Sequence, residues 1–279
     1  MDWFMERIEK GVFFVKNPFS QRVSEVSAAP EQVHAIVFWS KDYSGFIAEG
    51  FGERLEKMGY RLFFNFTVNS GSHVLEPEMP PLFDRLETLG RLCRRFGGKT
   101  VSWRFDPICF YTTAEAGTTN NLADFPVIAE AAADLGIKRC ITSFMDPYAK
   151  VEYRVKDIPG FCFHYPPEEA KARVLSRMER LLKPKGIELL TCCENGALEK
   201  LPSASGIRAS ACISAGLTKE LFGGRPSLRR DAGQRKSRGC TCSVSRDIGG
   251  YREQPCFHNC LYCYANPRPA GLKRALSRG

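Results

Sequence analysis

A chain of 279 residues, 43% hydrophobic and 25% charged, can bury a sizeable core, as one large domain or one domain plus a small module. Its longest apolar run, residues 33–39, is far too short to span a bilayer, so no membrane partner is expected. The start Met1-Asp2-Trp3-Phe4-Met5-Glu6 lacks the basic-then-apolar order of a signal peptide, which predicts a cytoplasmic location. Twelve cysteines in a reducing compartment point to metal or redox chemistry more than to disulfides. The net charge of +9 suits an anionic partner, nucleic acid included, or a basic solvated surface.

Strands and helices are predicted to alternate. A β-branched and aromatic run at 33–39 is followed by helical spacing over 49–58, then by a strand at 62–68 and a helix over 81–95. The pattern repeats with a strand at 100–105, a helix over 121–135, a strand at 137–142 and a helix over 167–182. Two further strands are expected at 187–192 and 207–213. Gly59, Gly97-Gly98, Gly136 and Gly186 stand where helices should end, and Pro167 with Glu168 and Glu169 is a good helix start. Such alternation predicts an α/β fold with a mostly parallel sheet, read as a complete or partial TIM-like (β/α) barrel, with a doubly wound open sheet as the alternative.

The barrel-like domain is expected over residues 1–218 and a basic linker over 219–239. That linker carries Arg225, Arg229, Arg230, Arg235, Lys236 and Arg238, a set able to neutralise phosphates or simply to be solvated. A cysteine-rich iron–sulfur module and a poorly ordered tail are expected over 240–279.

The segment Cys256-Phe257-His258-Asn259-Cys260-Leu261-Tyr262-Cys263 spaces its thiols by three residues and then two. A tight loop of this kind places three soft ligands around one iron–sulfur cluster. Zinc is the competing metal, with His258 or Cys242 completing a four-ligand site. Cys240 and Cys242 precede the motif by a short loop; they are expected to reach the same cluster, to bind a second metal, or to lie nearby without touching it.

The pattern Cys-x3-Cys-x-aromatic-Cys, with Tyr262 as the aromatic, resembles the cluster motif of the radical S-adenosylmethionine enzymes. The resemblance implies that Cys256, Cys260 and Cys263 bind three irons of a [4Fe–4S] cluster and that S-adenosylmethionine occupies the fourth. It also implies a reductant for the cluster and a 5′-deoxyadenosyl radical as product of cofactor cleavage. The motif departs from that superfamily in lying at the C-terminus rather than after the first barrel strand. The expected function is therefore a radical S-adenosylmethionine-type enzyme of unknown substrate. The alternative is a nucleic-acid-binding protein with a closed four-ligand iron–sulfur or zinc site and no cofactor cleavage.

Further motifs run in order along the chain: Val15-Lys16-Asn17-Pro18-Phe19, Val37-Phe38-Trp39-Ser40-Lys41, Trp103-Arg104-Phe105-Asp106-Pro107-Ile108 and Ser143-Phe144-Met145-Asp146-Pro147. With Cys240-Thr241-Cys242, Ser245-Arg246-Asp247-Ile248-Gly249 and Cys263-Tyr264-Ala265-Asn266 they resemble a prokaryotic family, domain of unknown function 1848. That resemblance implies an architecture and a cluster but no substrate.

Several predicted strands finish in charge. Asp106 and Asp146, each before a proline, and Glu194 are expected at strand ends, where barrel enzymes keep their active sites. Arg104, within a strand, is a candidate anchor for a carboxylate or phosphate; Lys41 and Asp42 are weaker candidates. The plain alternative is helix capping by the aspartates and internal ion pairing by Arg104. Cys192 and Cys193, adjacent on a predicted strand, should face opposite ways and so not share one metal. Cys93, Cys109, Cys140, Cys162 and Cys212 read as small core residues.

Overall fold

The computed structural model describes residues 1–17, 20–233, 239–250, 254 and 256–265. The chain opens with α1 (Asp2–Glu9) and a hairpin of β1 (Val12–Lys16) and β2 (Val23–Ser27). There follow β3 (Ile36–Ser40), α2 (Ser44–Ala48), α3 (Phe51–Lys57), β4 (Leu62–Thr67), α4 (Leu82–Phe96) and β5 (Val101–Ile108). Next come β6 (Phe110–Thr113), β7 (Gly117–Asn120), α5 (Phe125–Asp134), β8 (Arg139–Phe144), α6 (Ala149–Val155) and β9 (Cys162–His164). The remainder is α7 (Glu168–Leu182), β10 (Glu188–Thr191), α8 (Asn195–Glu199), β11 (Arg208–Ala209) and α9 (Ala215–Phe222).

Six strands form one parallel sheet in the order β3-β4-β5-β8-β10-β11. Every strand expected from the sequence lies in it. β4 is buried along its whole length, as a strand covered on both faces must be. The strand order follows the chain, as in a barrel, but β3 and β11 remain the two edges of an open sheet. Closure is not what forms: β11 shrinks to two residues, pairing only Leu190 with Arg208 and Thr191 with Ala209, too little ladder to meet another edge.

The helices obey elementary rules. α7 begins after Pro167 with Glu168 and Glu169 in its first turn, where carboxylates complement the helix dipole. Gly186 (φ 67°) takes the left-handed conformation after the short 3₁₀ turn that prolongs α7. Gly98 has a different reason to be glycine, because a Cβ there would stand 2.2 Å from the Leu135 carbonyl oxygen. Aromatic rings fill the core between sheet and helices: Tyr43 meets Phe66 at 4.9 Å, Phe64 meets Phe96 at 5.0 Å, and Trp103 stacks on Phe125 at 5.2 Å. The buried Trp103 indole donates to the Val68 carbonyl at 2.9 Å, so its polar handle is satisfied.

Beside the open sheet, and α1, the β1–β2 hairpin and α6 that the sequence reading did not place, two further features differ from it. A second, antiparallel sheet β7-β6-β9 inserts between the main strands; its strands, three or four residues each, are too short for an apolar alternation to announce them. α9 also runs to Phe222, past the expected linker start at 219. Residues Arg235, Lys236 and Arg238 of the basic stretch, and the tail from Asn266 onward, lie outside the described residues.

Candidate metal centre at the carboxyl edge of the sheet

Because the six strands are parallel, their carboxyl ends share one edge, and the residues that follow them meet there. Asp106 and Asp146 both stand at that edge, on or just after the neighbouring strands β5 and β8. Asp106 lies in an irregularity of β5. Phe105 pairs with Thr142 and Ile108 pairs with Phe144, so an extra residue is accommodated between them, next to the cis Asp106–Pro107 peptide. Arg104 and Asp106 share a strand face and form an ion pair, and Ser143 of β8 donates to the second Asp106 oxygen. The Asp106 amide donates to Asn69 Oδ1 at 2.8 Å. Asp146 is half-buried and accepts from the Tyr148 hydroxyl at 3.3 Å.

The hub of the edge is Glu76, in the connection between β4 and α4. It is 3% exposed, yet its carboxylate takes Lys41 Nζ at 2.9 Å, Asn69 Nδ2 at 2.9 Å and Arg85 Nη1 at 3.4 Å. The Tyr262 hydroxyl donates to the same carboxylate, and Asn69 donates to that hydroxyl at 3.1 Å. Burial alone would raise the Glu76 carboxyl, but Lys41, Tyr262 and Arg85 together hold it below its ordinary value. Burial, reinforced by the Glu76 charge, pushes the Tyr262 phenol well up, so the ring stays a neutral donor.

The cysteine loop is pinned to this edge. Leu261 is fully buried and its amide donates to the Leu75 carbonyl at 2.9 Å, one residue before Glu76. Arg154 of α6 donates to the Leu261 carbonyl at 2.7 Å and the Cys260 carbonyl at 3.3 Å. Asn259 adopts φ 53°, a left-handed conformation that asparagine tolerates, and the Cys263 amide closes a turn on the Cys260 carbonyl at 3.1 Å. Cys260 is buried, Cys263 is half-buried and Cys256 is exposed. Burial pushes the Cys260 thiol up to about 12, with Lys41 opposing and Glu76, Cys263 and Cys256 adding to the rise. Among the described residues, no group of three or more His, Cys, Asp or Glu side chains stands at metal-binding geometry.

Other sequence candidates fall elsewhere. Glu194, at the N-terminal end of α8, accepts the Phe144 amide at 2.8 Å and pairs with Lys171 at 3.3 Å, so it ties β8 to α7. Burial raises its carboxyl despite these partners. Asp42 accepts the Ser44 amide at 2.7 Å, the local turn role of an aspartate. Cys242 packs with Cys212, Ile141 and Leu190, and Cys240 flanks that group, whereas Cys260 and Tyr262 belong to a different apolar cluster. Cys93, Cys109 and Cys140 are buried as expected, but Cys162 is exposed at the rim of the antiparallel sheet, and Cys212 has thiol neighbours described below. The sequence reading missed Glu76, Asn69, Arg85 and Arg154. Only Glu76 carried a hint, as an acid between Leu75 and Pro77 after a polar loop.

No helix among the described residues is long and apolar enough to cross a membrane. No curated protein matches the sequence. Among solved structures, a D-hydantoinase crystal structure aligns with 13% identity and a TM-score of 0.33 over 68% of this chain. The chain spans only 43% of that structure's length. A family model does match, over residues 1–265, and the chain belongs to that family, domain of unknown function 1848.

Proposed function

We propose that the chain is an iron–sulfur enzyme of the radical S-adenosylmethionine type, with Cys256, Cys260 and Cys263 as the cluster ligands. The observation that carries this reading is the seating of the cysteine loop on the carboxyl edge of a parallel sheet, through Leu261 to Leu75 and Tyr262 to Glu76. The chemistry of the donor set fits the group: three thiols within eight residues, with the cations Lys41 and Arg154 beside Cys260 to offset their negative charge. When bound, the cluster would supply one electron for cleavage of S-adenosylmethionine.

The chain's own residues then have separable tasks. Glu76, held ionised between Lys41 and Arg85, fixes Tyr262 and with it the loop. Asp106, oriented by Arg104 and Ser143, is the carboxylate placed to bind substrate or take a proton, and Asp146 stands just after the adjacent strand β8. Glu194, buried and tied to Phe144 and Lys171, keeps the β8 end in place rather than meeting substrate.

The test is anaerobic preparation followed by reduction and addition of S-adenosylmethionine. The expected results are a brown protein, an altered electron paramagnetic resonance signal and formation of 5′-deoxyadenosine. Colour should vanish when Cys256, Cys260 or Cys263 is replaced by Ala, and should persist in Asp106→Asn. Colourless protein would end the iron–sulfur reading. A cluster whose signal ignores S-adenosylmethionine would instead favour a closed structural site.

A further inference from the structure

Away from the Tyr262 loop, five cysteines come together at the other end of the sheet's strand order. β10 ends at Thr191, so Cys192 and Cys193 lie just beyond the strand rather than in it. Cys193 adopts φ 62°, an uncommon conformation for any residue but glycine. That backbone undoes the alternation of a strand and brings the Cys193 sulfur to 3.9 Å from the Cys192 sulfur. The Cys192 sulfur in turn lies 3.5 Å from that of Cys212, which follows β11.

Cys242 joins them from a segment far along the chain. Thr241 donates to the Ser210 carbonyl at 2.7 Å, and the Ser243 amide donates to the Ile213 carbonyl at 2.8 Å. These two bonds lay residues 241–243 alongside 210–213 and bring Cys242 into the apolar cluster that holds Cys212. The Asp231 amide binds the Cys242 carbonyl at 2.9 Å from the other side. Arg104, 2% exposed, donates Nη1 to the Cys212 sulfur at 2.9 Å, which places a positive charge against the group. Two buried polar atoms beside it, Arg104 Nε and Asn65 Oδ1, have no partner among the described residues. Asn65 itself reaches the Cys212 carbonyl through Nδ2 at 3.1 Å.

Core filling alone does not explain this arrangement. Apolar packing would not hold Cys193 in a left-handed backbone, set a guanidinium on a sulfur, or stitch a distant loop beside Cys212. We propose that Cys192, Cys193, Cys212 and Cys242 form a second metal site, a tetrahedral thiolate centre for one soft cation, zinc above all. In such a centre, with metal–sulfur bonds of about 2.3 Å, adjacent sulfurs stand about 3.8 Å apart. Two of the six sulfur–sulfur edges already stand near that length, at 3.5 and 3.9 Å, while the four thiols do not yet enclose a common point, so the metal must draw them together. An iron–sulfur cubane spreads its thiolates over separate irons and needs a wider set. Binding replaces the thiol protons by the cation, releases them to solvent and turns the side chains inward about χ1. Four thiolates around a divalent ion carry a net charge of −2, which the neighbouring Arg104 partly offsets. Cys240 flanks the site without being a ligand.

The inference does not depend on the chemistry of the Tyr262 loop, and the test separates the two. In the full chain, Cys256, Cys260 and Cys263 are first replaced by Ala, and the protein is titrated with cobalt(II) under anaerobic conditions. The expected result is one tightly bound ion with intense thiolate-to-cobalt absorption, displaced by zinc. That absorption should be lost in Cys192→Ser, Cys193→Ser and Cys242→Ser and kept in Cys240→Ser. Cys242 lies outside the six-strand sheet, so circular dichroism of Cys242→Ser should match the parent and keep the result decisive. Undiminished cobalt absorption in Cys192→Ser and Cys242→Ser would overturn the proposal. So would a Cys192–Cys212 disulfide in anaerobically prepared protein, read by mass spectrometry.

Discussion

The two cysteine groups are built in opposite ways. The thiols around Cys212 come from three separate stretches of chain and are fixed to the sheet edge by the Thr241 hydroxyl on the Ser210 carbonyl and the Ser243 amide on the Ile213 carbonyl. The thiols around Cys260 come from one continuous loop, held by the buried Leu261 side chain, the Leu261 amide on the Leu75 carbonyl and Tyr262 on a buried carboxylate. A site assembled from the sheet inherits the sheet's rigidity. A site carried on one loop depends on a few anchors and leaves Cys256 exposed at the surface.

The largest effect should come from the anchor carboxylate. Glu76→Ala leaves Lys41 and Arg85 facing each other without their common partner, and removing one member of a buried ion network costs about 3–5 kcal/mol. Denaturant unfolding should register that loss. The same group sets a pH dependence. The folded-state value of Glu76 lies below its ordinary 4.5, so its contribution is fully present above pH 4.5 and is lost as pH falls through the lower folded value. Melting temperature followed from neutral to acid should fall less steeply in Glu76→Gln than in the parent. Equal slopes would show that Glu76 is not the titrating anchor.

Leu261→Ala comes next, at about 2–4 kcal/mol for a fully buried leucine. If the loop depends on its anchors, that cost appears as local release. Proteolysis should cut near Leu261 while the sheet's melting temperature changes little. A large shared drop in melting temperature would mean that loop and sheet are one unit. Thr241→Val should cost about 1 kcal/mol, the worth of one hydrogen bond, and is the mildest probe of the sheet-edge group.

Much of the frame was legible in the sequence, because buried parallel strands need continuous β-branched and aromatic runs such as Leu62–Thr67. Asp106 at the carboxyl edge was legible for the same reason, through the proline that follows it. Glu76 was not, since a loop acid 35 residues from Lys41 and 186 from Tyr262 has no local signature of its partners. The convergence of Cys192 with Cys193 was hidden by treating 187–192 as a strand. The strand stops at Thr191, and a single left-handed residue then reverses the facing of the next side chain. The antiparallel sheet escaped because its strands are only three or four residues long, so the apolar face made by Tyr111 and Phe163 is too short to show as a period.

The bond from Tyr262 to Glu76 spans 186 residues, and that span sets a timetable for the ribosome. Until Tyr262 has been made, Glu76 has only Lys41, Asn69 and Arg85 from the earlier part of the chain as partners. The loop bearing Cys260 can dock only after translation has passed Tyr262, when the rest of the sheet is already made. Domains fold as they are synthesised, amino-terminal part first. The cluster proposed for this loop would therefore be delivered to a finished scaffold and a late-arriving clasp.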